Sequence, residues 1–157
     1  MKPGDLGFPV FRWRGMTLGL LICFDWIFPE AARALAVQGM ELLLHPSNLV
    51  LPYCQDAMRT RALENGIFAV TANRVGVEER DPAAPRLAFT GMSQVTGPRG
   101  EILCRAGREE ELRVVEIDIE LARAKQLTPR NHLLDDRRPD CYGALLSGDG
   151  RPPAGVR

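Results

Sequence analysis

Three short apolar segments, separated by two helical segments, constrain the fold of this chain more than any other feature. The apolar segments are TLGLLIC (17–23), ELLLHP (41–46) and IFAVTA (67–72). Proline and glycine mark where helices begin and end, and they place one helix from Pro29 to Gly39. Asp56 is a suitable cap for a second helix that ends near Asn65. Continuous apolar strands joined by helices are typical of an α/β sheet with crossover helices.

The rest of the chain is predicted to be richer in strand. Residues 10–13 form a short strand before the first apolar segment, and residues 76–87 form a polar loop after the third. The sequence AFTGMSQVT, the turn GPRG and the sequence EILCRA predict a hairpin. ELRVVEIDI (111–119) alternates between apolar and polar positions, which predicts a further strand, and residues 120–127 predict a short helix. One domain is expected over residues 1–143, with a disordered tail over 144–157.

Composition excludes several classes of function. The 157 residues include 20 Lys plus Arg and 20 Asp plus Glu, so nothing indicates a nucleic-acid partner or an anionic membrane surface. No apolar run is long enough to span a bilayer, and the first residues lack a signal-peptide core. The four cysteines form no C-x-x-C pair, which disfavours a zinc site, and a disulfide framework is not expected in a chain of this size without a secretion signal. We therefore expect a cytoplasmic protein.

Polar or reactive side chains follow each of the three apolar segments. They are Cys23, the pair Ser47 and Asn48, and Asn73. Ligands of open α/β sheets bind beyond the carboxyl ends of the strands, so parallel strands would bring these groups to one cleft. A cysteine at a strand-to-helix turn lies near backbone N–H groups that lower a thiol pKa and hold an oxyanion. The alternative for Cys23 is a buried packing cysteine.

Several ordered motifs resemble the nitrilase superfamily of carbon–nitrogen hydrolases. GLLICFDWIFPEAAR is similar to the family's nucleophile segment, and HPSNLVLPY is similar to the loop that follows the next strand. RALENGIFAVTANRVG, FTGMSQVTGPRGEIL and VVEIDIELARAKQ are similar to later segments in the family's order. The resemblance covers residues 2 to about 143. Because several motifs occur in order, it is far more specific than one short pattern.

The resemblance implies hydrolysis of a non-peptide C–N bond through a cysteine thioester, without a metal or an organic cofactor. It implies that Cys23 is the nucleophile and that the backbone N–H of Phe24 stabilises the tetrahedral intermediate. It also implies that Glu64 positions the substrate, although an ion pair between Glu64 and Arg61 is the alternative. Trp26 either walls the substrate pocket or packs against the sheet. His45 is interpreted as a hydrogen-bonded residue rather than as a base.

The family's general-base Glu and catalytic Lys lie upstream of its cysteine, whereas this chain begins with MKPGD. Lys2 belongs to a linker in the resemblance and is not assigned the catalytic role. The chain is therefore interpreted as the C-terminal half of a nitrilase-type α-β-β-α sandwich. Half a sandwich would leave one sheet face uncovered, so we expect poor solubility, or pairing with a missing half or with a second copy.

The favoured substrate is a small-molecule amide or N-carbamoyl amine rather than a nitrile. N-Carbamoyl-D-amino acids are disfavoured because CFDWIFPE carries no cation to bind a carboxylate. A homo-oligomer is expected for the full-length form. Two alternatives remain open: an inactive remnant or assembly subunit that keeps the fold, and an unrelated α/β thiol enzyme.

Overall fold

The computed structural model describes residues 4–79 and 85–146 and shows a mixed α/β fold. The described strands are β1 (Phe11–Trp13), β2 (Met16–Leu20), β3 (Leu42–Ser47), β4 (Phe68–Asn73), β5 (Val77–Glu78), β6 (Leu87–Ala88), β7 (Gln94–Thr96), β8 (Ile102–Arg105), β9 (Gln126–Thr128) and β10 (Asn131–His132). The described α-helices are α1 (Pro29–Ala36), α2 (Cys54–Asn65) and α3 (Glu120–Arg123). Short 3₁₀-helices span Cys23–Ile27, Pro139–Cys141 and Gly143–Leu146.

Six strands form one sheet in the order β1-β2-β3-β4-β7-β8. The central strands β2, β3 and β4 are parallel, and helices α1 and α2 connect them. The outer strands β1, β7 and β8 pair antiparallel with their neighbours. The predicted α/β class, the mixed sheet and the crossover helices are confirmed.

One face of the sheet is covered by α1 and α2. Leu43 pairs in register with Gly19 on one side and with Ala69 on the other, and both Leu43 and Ala69 pack in the same core as residues of both helices. Gly19 allows the side chains of Leu35 and Met40 to lie against the backbone of β2. A Cβ at this position would lie 2.1 Å from the Met40 sulfur and 3.1 Å from Leu35 Cδ1. Each buried Leu or Met side chain contributes about 2 kcal/mol to folding by leaving water.

The opposite face of the sheet is apolar and partly open to solvent. The side chains at its directly paired positions are Phe11, Trp13, Met16, Leu18, Leu20, Leu42, Leu44, Phe68, Val70, Val95 and Cys104. Phe11, Trp13 and Leu20 are 52%, 53% and 42% exposed. A contiguous apolar face of this kind is typical of a surface that another protein element covers.

Two predicted elements differ from the structure. The predicted strand over 111–119 is wrong: among the described residues it pairs with no strand, and Leu112 and Val114 are 89% and 91% exposed. Its alternation does place Val115 and Ile117 half-buried, but a strand also needs a hydrogen-bonded neighbour. The predicted helix over 120–127 ends at Arg123, and the β9–β10 hairpin that follows was not predicted.

The second crossover helix begins earlier than predicted and ends at Asn65, as predicted. Helix α2 starts at Cys54 rather than after Asp56, and no side chain caps its first turn. At its other end Gly66 adopts φ +59°, and Lys125 Nζ donates to the carbonyls of Asn65 and Gly66. The Lys125 amine is attracted to the negative end of the helix. Burial lowers the pKa of Lys125 to about 8.

The predicted tail over 144–157 lies largely outside the described residues. Its first three residues belong to the last 3₁₀-helix, and nothing from position 147 onward is described. Lys2, the linker residue in the sequence resemblance, also lies outside them. In the described part of the chain, no helix is long and apolar enough to cross a membrane.

The uncovered sheet face generates a prediction about self-association. Replacing Leu20, the last residue of β2, by Lys places a charge on this face and should lower the self-association of the chain, because burying an ammonium group against a second apolar surface is costly. Sedimentation velocity measures the change. The matched control is Val37→Lys, because Val37 is similarly exposed, at 48%, but follows α1. Equal behaviour of both variants, or a wild-type chain that stays monomeric at high concentration, would contradict the prediction.

Candidate active site

Cys23 lies at a sharp turn between the sheet and the first helical segment. Strand β2 ends at Leu20, and Cys23 begins the 3₁₀-helix with a positive φ of +49°. This left-handed conformation costs a residue other than glycine about 1 kcal/mol, so it persists only where surrounding contacts hold it. The Cys23 side chain is half-buried. The chain thus presents a thiol at the carboxyl end of a central strand, as the sequence predicts.

The side chain of His45 forms a hydrogen bond to the backbone of this turn. Its Nε2 lies 2.8 Å from the carbonyl oxygen of Cys23, and its Nδ1 lies 3.2 Å from Thr71 Oγ1. A carbonyl oxygen only accepts, so Nε2 carries the proton and Nδ1 accepts from the Thr71 hydroxyl. Burial lowers the pKa of His45, while the bond to Cys23 and the charge of Asp25 act in the opposite direction. His45 is therefore neutral at neutral pH.

Ser47 lies within hydrogen-bonding distance of His45, whereas Asn48 has no described contact with His45. Ser47 Oγ lies 3.0 Å from His45 Nε2 and 3.3 Å from His45 Nδ1, and its residue is partly buried. Asn48 is exposed. The structure therefore brings Cys23, His45 and Ser47 together at the ends of β2 and β3.

The backbone N–H of Phe24 is available at the turn. None of the described hydrogen bonds uses this group, as expected for the first turn of a helical segment. The neighbouring Asp25 is engaged locally: its Oδ2 accepts the Ile22 N–H at 2.9 Å, and its own N–H donates to the Ile22 carbonyl. Asp25 therefore stabilises the turn without using the Phe24 N–H, whose role stays a prediction.

The side chain of Asn73 connects the loop after β3 to the segment before β7. Its Oδ1 accepts the Leu49 N–H at 2.8 Å, and its Nδ2 donates to Thr90 Oγ1 and to the Gly91 carbonyl at 2.8 and 2.6 Å. These bonds leave its side-chain amide little capacity for a substrate. Asn73 also borders a cleft lined by Arg74, Val75, Ser93, Ala106, Gly107, Glu109, Glu110 and Glu111. Its predicted role in a substrate pocket stays a prediction.

Trp26 is buried, and its contacts match the packing alternative. Its side chain is 6% exposed and belongs to the core cluster with α1 and α2. Arg61 Nε donates to the Trp26 carbonyl at 3.2 Å. The rings at the exposed surface of the turn are instead Phe24 and Phe28, which pack edge-to-face at 6.0 Å between centroids.

Glu64 lies near the C-terminal end of α2, where it pairs with arginine. Arg61 Nη1 lies 2.8 Å from Glu64 Oε1, and Arg33 Nη2 donates to the Glu64 carbonyl. No described contact joins the Glu64 carboxylate to Cys23. The observed ion pair is the alternative that the sequence left open for Glu64, and its role in positioning a substrate stays a prediction.

The sequence left two interpretations for Cys54, a residue at the pocket mouth or a packing residue, with packing favoured, and its burial in the structure agrees with packing. Cys54 begins α2 and is fully buried, and burial raises the pKa of its thiol to about 12, with a smaller contribution from the neighbouring charge of Cys23. The Cys54 thiol therefore stays protonated. Its position just after the loop that follows β3, at the start of the second crossover helix, was the available signal.

Comparison with known proteins places the chain among hydrolases. It matches the carbon–nitrogen hydrolase family over residues 1–126. It is 49% identical over 142 residues to a nitrilase of Pyrococcus abyssi, a match that covers 90% of this chain and 52% of that protein. It is 36% identical over 168 residues to N-carbamoylputrescine amidase of Solanum tuberosum, which covers 97% of this chain and 54% of that enzyme.

Solved structures give the same result. A carbon–nitrogen hydrolase from Helicobacter pylori shares 35% identity with a TM-score of 0.86, covering 94% of this chain and 55% of that one. A variant of a Nesterenkonia sp. amidase carries the acetamide moiety of fluoroacetamide on its active-site cysteine. It shares 34% identity with a TM-score of 0.75, covering 91% of this chain and 49% of that one. The chain thus spans about half the length of the relatives that it matches.

The different surroundings of the four thiols predict selective alkylation. Iodoacetamide at pH 8 should modify Cys23, Cys104 and Cys141 in the folded protein, because these side chains are at least partly exposed. Cys54 should react only after unfolding in guanidinium, because it is buried and its pKa is about 12. Peptide mass mapping measures the sites. A Cys54→Ala control should show three modified thiols in both states, and native labelling of Cys54 at the rate of Cys141 would contradict the assignment.

Proposed function

The chain belongs to the carbon–nitrogen hydrolase family, and on that premise we propose that it hydrolyses a non-peptide C–N bond through a thioester on Cys23. The observation that carries the proposal is the strained turn at Cys23, where a partly exposed thiol follows a central parallel strand. The covalent adduct on the active-site cysteine of the Nesterenkonia amidase supports the same assignment for this chain.

The proposed reaction has two steps. The Cys23 thiolate attacks the carbonyl carbon, and the Phe24 N–H donates to the oxyanion that forms on the carbonyl oxygen. The C–N bond then breaks, the nitrogen takes up a proton, and ammonia or an amine leaves behind a thioester. Water then attacks the acyl carbon and the C–S bond breaks. The carboxylic or carbamic acid departs, and Cys23 is again a thiolate. No metal or organic cofactor takes part.

The proposed substrate is an amide or an N-carbamoyl amine. Similarity to N-carbamoylputrescine amidases and to a Nesterenkonia amidase supports this class. The segment from Cys23 to Glu30 carries no cation, so it offers no partner for the carboxylate of an N-carbamoyl-amino acid. Because Trp26 is buried in the core, the exposed Phe24 and Phe28 rings are better placed than Trp26 to contact a substrate.

The chain is proposed to act as part of a larger enzyme. It spans about half the length of its relatives, and one face of its sheet is apolar and partly uncovered. A second sheet from the other half of such an enzyme would cover this face and would carry the Glu and Lys that the resemblance implies. A homo-oligomer in the cytoplasm is the proposed form of the whole enzyme.

One observation keeps the inactive-remnant alternative in view. The described acidic group nearest to Cys23 along the chain is Asp25, and its carboxylate is engaged with the Ile22 N–H. His45 donates its N–H to a carbonyl and is not placed as a base. The described contacts pair the Cys23 thiol with no base, and a protein that lacks such a base would keep the fold and lack the chemistry.

A substrate panel tests the proposed activity. The full-length enzyme is incubated with aliphatic amides, N-carbamoyl amines and nitriles, and ammonia and amine release are measured. We expect release from amides or N-carbamoyl amines, and we expect Cys23→Ala to reduce it by at least about 10⁴-fold because the covalent step is lost. A Cys104→Ala control should keep wild-type turnover. Turnover that survives Cys23→Ala, or release from nitriles alone, would contradict the proposal.

The same assay distinguishes the two roles of Glu64. If the carboxylate positions the substrate, Glu64→Gln lowers kcat/KM by orders of magnitude at unchanged stability. If it serves the pair with Arg61, as its contacts favour, turnover is preserved and the folded state loses at most about 1 kcal/mol. Arg61→Gln is the comparison variant: it removes the same ion pair from the other side, together with the bond from Arg61 Nε to the Trp26 carbonyl.

A further inference from the structure

The cluster beneath Cys23 suggests a role for a residue that the family resemblance leaves unassigned. His45 is 1% exposed, and its Nε2 contacts a backbone oxygen of the nucleophile rather than its sulfur. Burying an imidazole is costly unless its nitrogens are hydrogen-bonded, and here both are. A packing role alone would be served by an apolar side chain of similar volume, so the polar contact has to be explained.

The geometry of the peptide bond connects this contact to the reaction. No peptide bond among the described residues is cis, so the carbonyl of Cys23 and the N–H of Phe24 point in opposite directions from one rigid plane. The carbonyl oxygen of Cys23 lies 2.8 Å from His45 Nε2, which donates to it. The Phe24 N–H must therefore point away from the His45 ring, and it has no partner among the described hydrogen bonds.

We infer that His45 is a positioning residue that aims the oxyanion-binding N–H of Phe24 by holding the opposite end of the same peptide group. The inference rests on the proposed function, because it assigns His45 a task within that reaction. His45 touches neither the substrate nor the sulfur, so it acts through the backbone of Cys23. Thr71 supports it by donating to Nδ1 and fixing the tautomer that leaves the proton on Nε2.

If His45 has this role, its replacement should affect two reactions of the Cys23 thiol, amide hydrolysis and alkylation, to different extents. Amide hydrolysis builds negative charge on a carbonyl oxygen and needs the Phe24 N–H. Alkylation by iodoacetamide displaces iodide at a saturated carbon, builds no oxyanion and needs only the thiolate. A change that misdirects the N–H should therefore slow hydrolysis and leave alkylation of Cys23 unchanged, whereas a general disruption of the turn should slow both.

The test uses variants of the full-length enzyme and the best amide of the substrate panel. His45→Leu removes the donor, and His45→Asn keeps a polar side chain that is too short to reach the carbonyl. Both should lower kcat by about 100-fold, the effect of losing one oxyanion donor, with KM and the alkylation rate little changed. His45→Gln keeps a donor of suitable length and should restore most of the rate. Thr71→Val removes the hydroxyl that favours the Nε2 proton but keeps the imidazole, so it should lower kcat by less than the two His45 variants do.

Each result decides the inference. Wild-type kcat in both His45→Leu and His45→Asn overturns it, and so does a parallel loss of hydrolysis and alkylation, which would make His45 a support for the thiol. If His45→Leu fails to fold, as judged by thermal unfolding, the comparison of His45→Asn with His45→Gln gives the answer. A wild-type enzyme that is alkylated at Cys23 but hydrolyses no substrate refutes the proposed function, and this inference with it.

Discussion

The hydrogen bond between His45 and the carbonyl of Cys23 ties the proposed chemistry to the sheet. The left-handed conformation of Cys23 costs about 1 kcal/mol. One hydrogen bond contributes about 1 kcal/mol, so the bond from His45 is large enough to offset the cost of this conformation. The bond spans the ends of β2 and β3, which are neighbours in the parallel part of the sheet. Register between these strands therefore determines whether the turn is held at all.

The two faces of the sheet serve different purposes. The helix-covered face carries an apolar core and, toward the strand ends, the buried polar groups His45, Thr71 and Gln94. These groups are hydrogen-bonded to one another or to nearby backbone and side-chain atoms, which stabilises loops as well as strands. The opposite face is apolar at every directly paired position. The site thus lies at the strand ends of a sheet that has helices on one face and a partly exposed apolar surface on the other.

The sequence predicted the strands and helices between positions 17 and 73 well, because apolar runs bounded by Pro and Gly have few other solutions. It also predicted that Cys23 and Ser47 meet at the strand ends. It failed over 111–119, because alternation determines which side chains face inward but not whether a partner strand is present. The contacts of His45 were not predictable, since they depend on a positive φ at Cys23 and on the register of β3 against β4.

Intact-mass measurement during turnover tests the central claim that Cys23 carries the acyl group. The full-length enzyme is mixed with a slowly hydrolysed amide, quenched in acid and digested for peptide mapping. The account predicts an added acyl group on the peptide that contains Cys23, appearing during turnover and disappearing when the substrate is exhausted. Acyl groups found only on Cys104 or Cys141, or active turnover without any adduct, would contradict it.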